Sequence, residues 1–201
     1  MSTNTPGPSV LWEADPHTLA KHHILKYYLG AWAAVFWRSP QIPGKDLLIE
    51  DGFAGPGEYS EGQPGSPLVA LKAISDHSVP ATRPVRLNFT EIDPASHQHL
   101  KGLLNAERLK HADDKRVIID EPVLGDCVEE IPKLISARHP NVGPALFFLD
   151  QFGYSQIPMT LIRQIMRYPY CEVFSYLNLS EDEHLSRRLR QTGRVYAGVW
   201  R

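Results

Sequence analysis

The chain has 201 residues, 42% of them hydrophobic, which is enough for one domain with a full core. Its formal charge of −2 gives no global pull toward nucleic acid; basic residues gather only locally, at Lys110, His111, Lys115 and Arg116 and again at Arg187, Arg188, Arg190 and Arg194. No apolar run approaches the ~20 residues that span a bilayer, the N-terminus lacks the basic and apolar regions of a signal peptide, and Cys127 and Cys171 lack metal-ligand spacing, so the chain reads as cytoplasmic with free thiols and no metal.

Residues 1–14 read as a flexible tail, polar and proline-rich at its start. Asp15-Pro16 is a cap-and-proline start for a helix to about Phe36, with Leu25, Tyr28, Leu29, Trp32 and Phe36 forming an apolar stripe. Prolines and glycine over 39–44 break it, and Leu47-Leu48-Ile49 reads as a buried strand. Ser66-Pro67 then marks a helix start, with Ser66 as a side-chain cap. A strand over 85–93, a helix over 95–110, a short strand over 116–119 and a helix over 127–138 follow. The most apolar strand, 145–149, should be central and covered on both faces. A helix over 159–167 and a strand over 172–177 complete the alternation. Strands alternating with helices imply an α/β fold with a doubly wound, mostly parallel sheet across 15–178. Residues 179–201 read as a charged C-terminal segment, helical over 181–190, with at most a short strand at Val195-Tyr196-Ala197.

The most informative stretch is Asp51-Gly52-Phe53-Ala54-Gly55-Pro56-Gly57, which follows the first strand directly. Glycines there remove the Cβ that would block a close ligand and allow positive φ in the turn. In a dinucleotide site the helix opens at the glycines, so that its first amides hold pyrophosphate. Here the chain runs on to Gly65 before a helix can start, and Glu58 and Glu61 put negative charge where a phosphate would lie. No Gly-Lys-Ser/Thr follows, which excludes a Walker-type loop. The loop therefore suits a phosphate-free, cationic ligand.

Ligands of such sheets bind beyond the carboxyl ends of the strands. Acidic residues stand at those ends: Asp51 at the first, Glu91 and Asp93 at the second, Asp126 after the third, and Asp150 in Asp150-Gln151-Phe152-Gly153-Tyr154 after the fourth. Each alone reads equally as a turn or cap residue, Asp126 as the cap of the helix at Cys127.

The form Asp-x-Phe-x-Gly-x-Gly resembles the first motif of amino-group methyltransferases that use S-adenosylmethionine. The resemblance implies a class I methyltransferase fold, in which Asp51, Phe53, Gly55 and Gly57 wrap the methionine part of the donor. It implies that Glu91, or else Asp93, accepts from the ribose hydroxyls and that Asp126 accepts from the adenine amine. Asp150 falls where these enzymes hold the target amino group, and Phe152 or Tyr154 where a ring stacks on a flipped base. Gln151 and Gly153 depart from that motif, so an acceptor other than a base stays open. A closer resemblance is to the three-Cys-motif partner protein (TcmP) family. It is carried by Lys21-His22-His23-Ile24-Leu25, by Asp51 to Tyr59 with Gly65-Ser66-Pro67, and by Phe148-Leu149-Asp150 with Phe152 to Ser155. It implies a bacterial or phage-associated methyltransferase-like protein that pairs with a three-cysteine, iron–sulfur protein. The readings that follow are a nucleic-acid methyltransferase, a non-catalytic partner of that protein, or a small-molecule or protein methyltransferase. The resemblance fades after Asn178, where such a sheet adds an antiparallel strand pair. The chain is therefore expected to lack that pair, as a truncated form, and to leave its fifth strand as an open edge.

Overall fold

The structure is a computed structural model that describes residues 10–14, 16–139, 143–150, 157–176 and 199–200. Helix α1 (Pro16–Trp37) precedes β1 (Leu47–Asp51) and α2 (Ser66–Ser75). Strand β2 (Val85–Glu91) and α3 (Pro94–Lys110) are followed by the short strands β3 (Val117–Ile119) and β4 (Val123–Leu124). Then come α4 (Cys127–Arg138), β5 (Ala145–Phe148), α5 (Met159–Ile165), β6 (Cys171–Phe174) and β7 (Val199–Trp200).

The sheet order is β3-β2-β1-β5-β6-β7, with β4 pairing β2 as well. All pairings are parallel except β6 with β7. The fold is thus the expected α/β, doubly wound and mostly parallel one. Side chains alternate across the sheet: Leu47 and Ile49 face a core built with α1, α2 and α3, whereas Leu48 faces one built with α4 and α5. On β5, Leu146 and Phe148 join the first core, and Ala145 and Phe147 the second. Both faces being covered explains why this strand reads as an unbroken apolar run.

Chain order reverses between β1 and β5. From β1 the sheet steps outward through β2 to β3, and from β5 through β6 to β7. Registers Asp51↔Phe89 and Asp51↔Phe148 bring the ends of β1, β2 and β5 to one rim. A crevice at such a switch point is where this architecture binds ligands.

Several details differ from the sequence reading. Ser66 is not the cap of α2: Gly65 holds that position without a side-chain bond, and Ser66 is the first helical residue. Gly65 is wedged there because its amide donates to Gly57 O at 2.8 Å, and a Cβ would lie 2.7 Å from that backbone. Strand β4 went unforeseen, being only Val123–Leu124 after Pro122, yet it pairs with Thr90 and Glu91 and carries the chain toward Asp126. The fifth principal strand, β6, is not a bare edge, since Val199–Trp200 pairs antiparallel with Val173 and Phe174. The helix expected over 181–190 and the strand over 195–197 lie outside the described residues.

Candidate cofactor and active site

At the switch point lies a cavity of about 870 Å³. Its floor is the glycine loop from Gly52 to Gly57, built by backbone bonds to both neighbouring strands. Gly52 N–H donates to Phe148 O at 3.0 Å and Ala54 N–H to Thr90 O at 3.1 Å. Asp51 Oδ1 accepts from Phe53 N–H at 3.1 Å, closing a local turn. Gly55 and Gly57 adopt φ of 61° and 90°, the left-handed region that glycine tolerates. The two glycines serve different ends. A Cβ on Gly57 would stand 2.7 Å from Leu103 Cδ2 and 2.9 Å from Leu100 Cδ1, so Gly57 lets the loop press onto α3. A Cβ on Gly55 would meet only Trp12, at 3.9 Å, so Gly55 opens onto the cavity.

Glu91 organises this floor. Buried at the end of β2, it accepts from Gly55 N–H at 2.7 Å and from Asp93 N–H at 2.7 Å. One carboxylate thus ties the glycine loop to the start of α3. Each oxygen retains a further lone pair for a ligand. Asp93 caps α3, accepting from Ser96 N–H at 2.7 Å, and that bond holds its carboxyl below the usual range. Asp126 caps α4 in the same way, through Val128 N–H at 2.8 Å. Both capping carboxylates are exposed and line the cavity, so capping and ligand contact are compatible here.

Asp51 lies under the loop and is 2% exposed. Its Oδ2 has no partner of hydrogen-bonding geometry, although the nearby Ser66 hydroxyl still favours the ionised form. Burial pushes its pKa up to about 7, with Ser66 and the Phe53 amide opposing and the charges of Asp150 and Glu91 adding to the rise. A buried acceptor without a donor is a rare native feature.

On the far side of the crevice stands Asp150, just past β5. Lys21 Nζ, from α1, bridges its two oxygens at 2.8 and 3.1 Å. Burial raises the Asp150 pKa and Lys21 opposes that rise. Tyr176 fixes the lysine, donating its hydroxyl to Lys21 O at 2.8 Å and placing its ring 5.3 Å below Nζ.

Of the residues that sequence reasoning placed at the site, Phe53, Gly55, Gly57, Glu91, Asp93, Asp126 and Asp150 line the one cavity. Asp51 supports it from below, and Phe152 and Tyr154 lie outside the described residues. Sequence reasoning missed Lys21, His22 and Trp12, which α1 and the segment before it bring to the same cavity. Their signal was faint: α1 lies ten or more residues before β1, and nothing local says that it crosses the rim. Cys127 also lines the cavity, but burial pushes its thiol up to about 12, which leaves it protonated and inert. Among the described residues there is no cluster of groups that could hold a metal ion, and no helix long and apolar enough to cross a membrane.

No protein-family model matches the chain, and no curated protein sequence matches it. Several solved structures align with it, at low identity and with TM-scores below 0.5. One is the TDP-rhamnose 3'-O-methyltransferase CalS11 of calicheamicin biosynthesis, with 16% identity, a TM-score of 0.48, and coverage of 88% of this chain and 71% of that one. Another is the Legionella pneumophila protein LPL1258, with 17% identity, a TM-score of 0.47, and coverage of 85% and 74%. A third is the human methyltransferase 10 domain containing protein, with 13% identity, a TM-score of 0.41, and coverage of 89% and 72%.

Proposed function

We propose that this chain binds S-adenosylmethionine in the rim cavity and transfers its methyl group to an amino group, with a nucleic acid as the acceptor. The observation that carries the reading is the glycine loop, pinned by Glu91 through Gly55 N–H, opening onto a cavity lined by carboxylates. The donor supplies an electrophilic methyl group on a cationic sulfonium, which suits a cavity lined by carboxylates. It carries no phosphate, and the cavity suits that: Glu58, Glu91, Asp93, Asp126 and Asp150 line it, facing Lys21. Glu91 would accept from the ribose hydroxyls, with Asp93 as the alternative, and Asp126 from the adenine amine.

Asp150 would hold the acceptor amine as a hydrogen-bond acceptor, so that the amine's lone pair faces the methyl group. As the N–CH3 bond forms, the donor's S–CH3 bond breaks and S-adenosylhomocysteine leaves; the amine's extra proton passes to solvent, and the Asp150 carboxylate stabilises the charge that develops before that loss. Phe152 or Tyr154 would supply the stacking ring. Asp150→Ala should leave donor affinity within a few-fold and abolish transfer of labelled methyl groups to nucleic acid. Equal loss of both would put Asp150 in the donor pocket, and retained transfer would remove it from the reaction.

One observation favours a second reading. Lys21 already engages both oxygens of Asp150, at the place where an acceptor amine would bind. A chain that keeps the donor fold only to pair with a three-cysteine iron–sulfur protein, as the TcmP resemblance implies, would show this arrangement without needing turnover. Donor binding with no transfer to nucleic acid, small molecule or protein would favour that reading.

A further inference from the structure

Deepening the donor-site reading above, on which it rests, we propose that Trp12 is a ligand-binding residue: its indole forms an apolar wall of the cavity beside Gly55 and is covered by the part of the donor that lies on the glycine loop. Trp12 comes from the segment before α1, lines the cavity and is 46% exposed. A single exposed aromatic is by itself an ordinary surface feature. The position of this one sets it apart. A Cβ on Gly55 would stand 3.9 Å from Trp12 Cη2, so a ligand lying on that glycine lies beside the indole.

The ring is also held where it stands. Trp12 O accepts from Ser60 N–H at 3.0 Å, and the indole meets the Tyr59 ring edge-on, with centroids 6.0 Å apart. Tyr59 sits in a turn that is itself tied down: its N–H donates to Gln63 O and its carbonyl accepts from Gly62 N–H, both at 2.9 Å, while Glu58 bridges Pro64. An indole fixed through its backbone and its ring edge loses little freedom on meeting a ligand. Glu58 and Glu91 share the cavity wall with it. A neutral aromatic beside carboxylates suits a ligand that joins a cationic centre to apolar methylenes, as the donor does. The alternative is a tryptophan that only anchors its segment to Tyr59. That role occupies the ring edge and leaves the exposed remainder indifferent to any ligand.

The test uses the full chain carrying 5-fluorotryptophan, with S-adenosylhomocysteine as the probe. The ¹⁹F resonance absent from Trp12→Phe belongs to Trp12. In the unmodified chain it should move as the probe saturates, and its shift between H2O and D2O should shrink as ligand replaces water against the ring. The resonances of Trp32 and Trp37, which are 5% and 2% exposed, should keep their small solvent shifts. By calorimetry, Trp12→Ala should weaken binding by about tenfold, and Trp12→Phe, which keeps an aromatic face, by about threefold or less. If the probe binds while the Trp12 resonance keeps its position and its solvent shift, or if Trp12→Ala binds it undiminished, Trp12 is an anchor only and the donor site stands. If the unmodified chain binds neither S-adenosylhomocysteine nor S-adenosylmethionine, the donor site itself is wrong and Trp12 loses its assigned ligand with it.

Discussion

Glu91 Oε2 accepts the Gly55 amide at 2.7 Å, so the acid at the end of β2 holds the glycine loop before any ligand arrives. The same carboxylate takes the Asp93 amide through Oε1. Glu91→Ala should therefore do more than remove ligand contacts. Losing two charge-assisted bonds should lower stability by roughly 2–4 kcal/mol and weaken donor binding by at least about tenfold. Glu91→Gln, with one acceptor oxygen, should fall between. Urea unfolding and calorimetry on both variants check this; a Glu91→Ala protein with unchanged stability would show that the loop holds itself.

The two loop glycines should separate stability from binding. Gly57→Ala forces a side chain against Leu100 and Leu103 at a φ of 90°, and should cost about 2 kcal/mol or more. Gly55→Ala meets open space at a φ of 61° and should cost about 1 kcal/mol, yet its new methyl enters the cavity and should disturb donor binding more than Gly57→Ala does. Thermal unfolding set beside donor titration gives the comparison. Equal effects on both properties would remove Gly55 from the ligand surface.

The chain alternation, the central strand and the acidic rim were all legible in the sequence. Apolar runs and cap signals are local, and strands that follow one another in a parallel sheet end on the same side. What stayed hidden was tertiary. That Glu91 serves backbone amides depends on the loop folding back over β2. That Lys21 and His22 face the cavity depends on where α1 crosses the rim. The Ser66 cap was misread because serine before proline is a common helix start; here Gly65 is needed instead, for the close crossing with Gly57. The acids Asp93 and Asp126 looked like either caps or ligand residues, and the structure shows that one side chain can hold the cap while lining the cavity.

Two buried carboxyls set the pH dependence of stability. Burial raises Glu50, on β1, to about 8, against the opposing bonds from Thr90 and Asn88, and Asp51 rises to about 7. Both folded values exceed the unfolded ones, so the native state holds protons that the unfolded state has released. The stability they contribute is complete below about pH 4 and is lost as pH climbs through 7 and 8. The protein without ligand should therefore be more stable near pH 5 than near pH 8.5, by about 1 kcal/mol or more. Glu50→Gln should flatten part of that slope. Chemical denaturation across this range measures it, and a flat or rising profile in the unmodified chain would contradict the assignment.

Lys21→Met should expose the dependence of Asp150 on its partner. Both side chains are about a quarter exposed, at 27% and 22%, so the loss at neutral pH should be about 1–2 kcal/mol, less than for a fully buried pair. Removing the lysine leaves burial unopposed and raises the Asp150 pKa further. The penalty should thus be smallest at acid pH, once the carboxyl has taken up its proton, and grow as pH rises and ionisation is forced. Unfolding of the variant at several pH values checks the sign. A penalty that does not change with pH would mean that the pair contributes nothing through the charge of Asp150.

The account stands on a single binding event. Calorimetric titration of S-adenosylmethionine into the purified chain, repeated with Gly55→Ala and Glu91→Ala, tests it most directly. The account predicts saturable binding to one site with a dissociation constant in the micromolar range, about −8 kcal/mol at 1 μM, weakened in both variants. No heat and no thermal stabilisation at millimolar donor, in a protein that unfolds cooperatively, would contradict it.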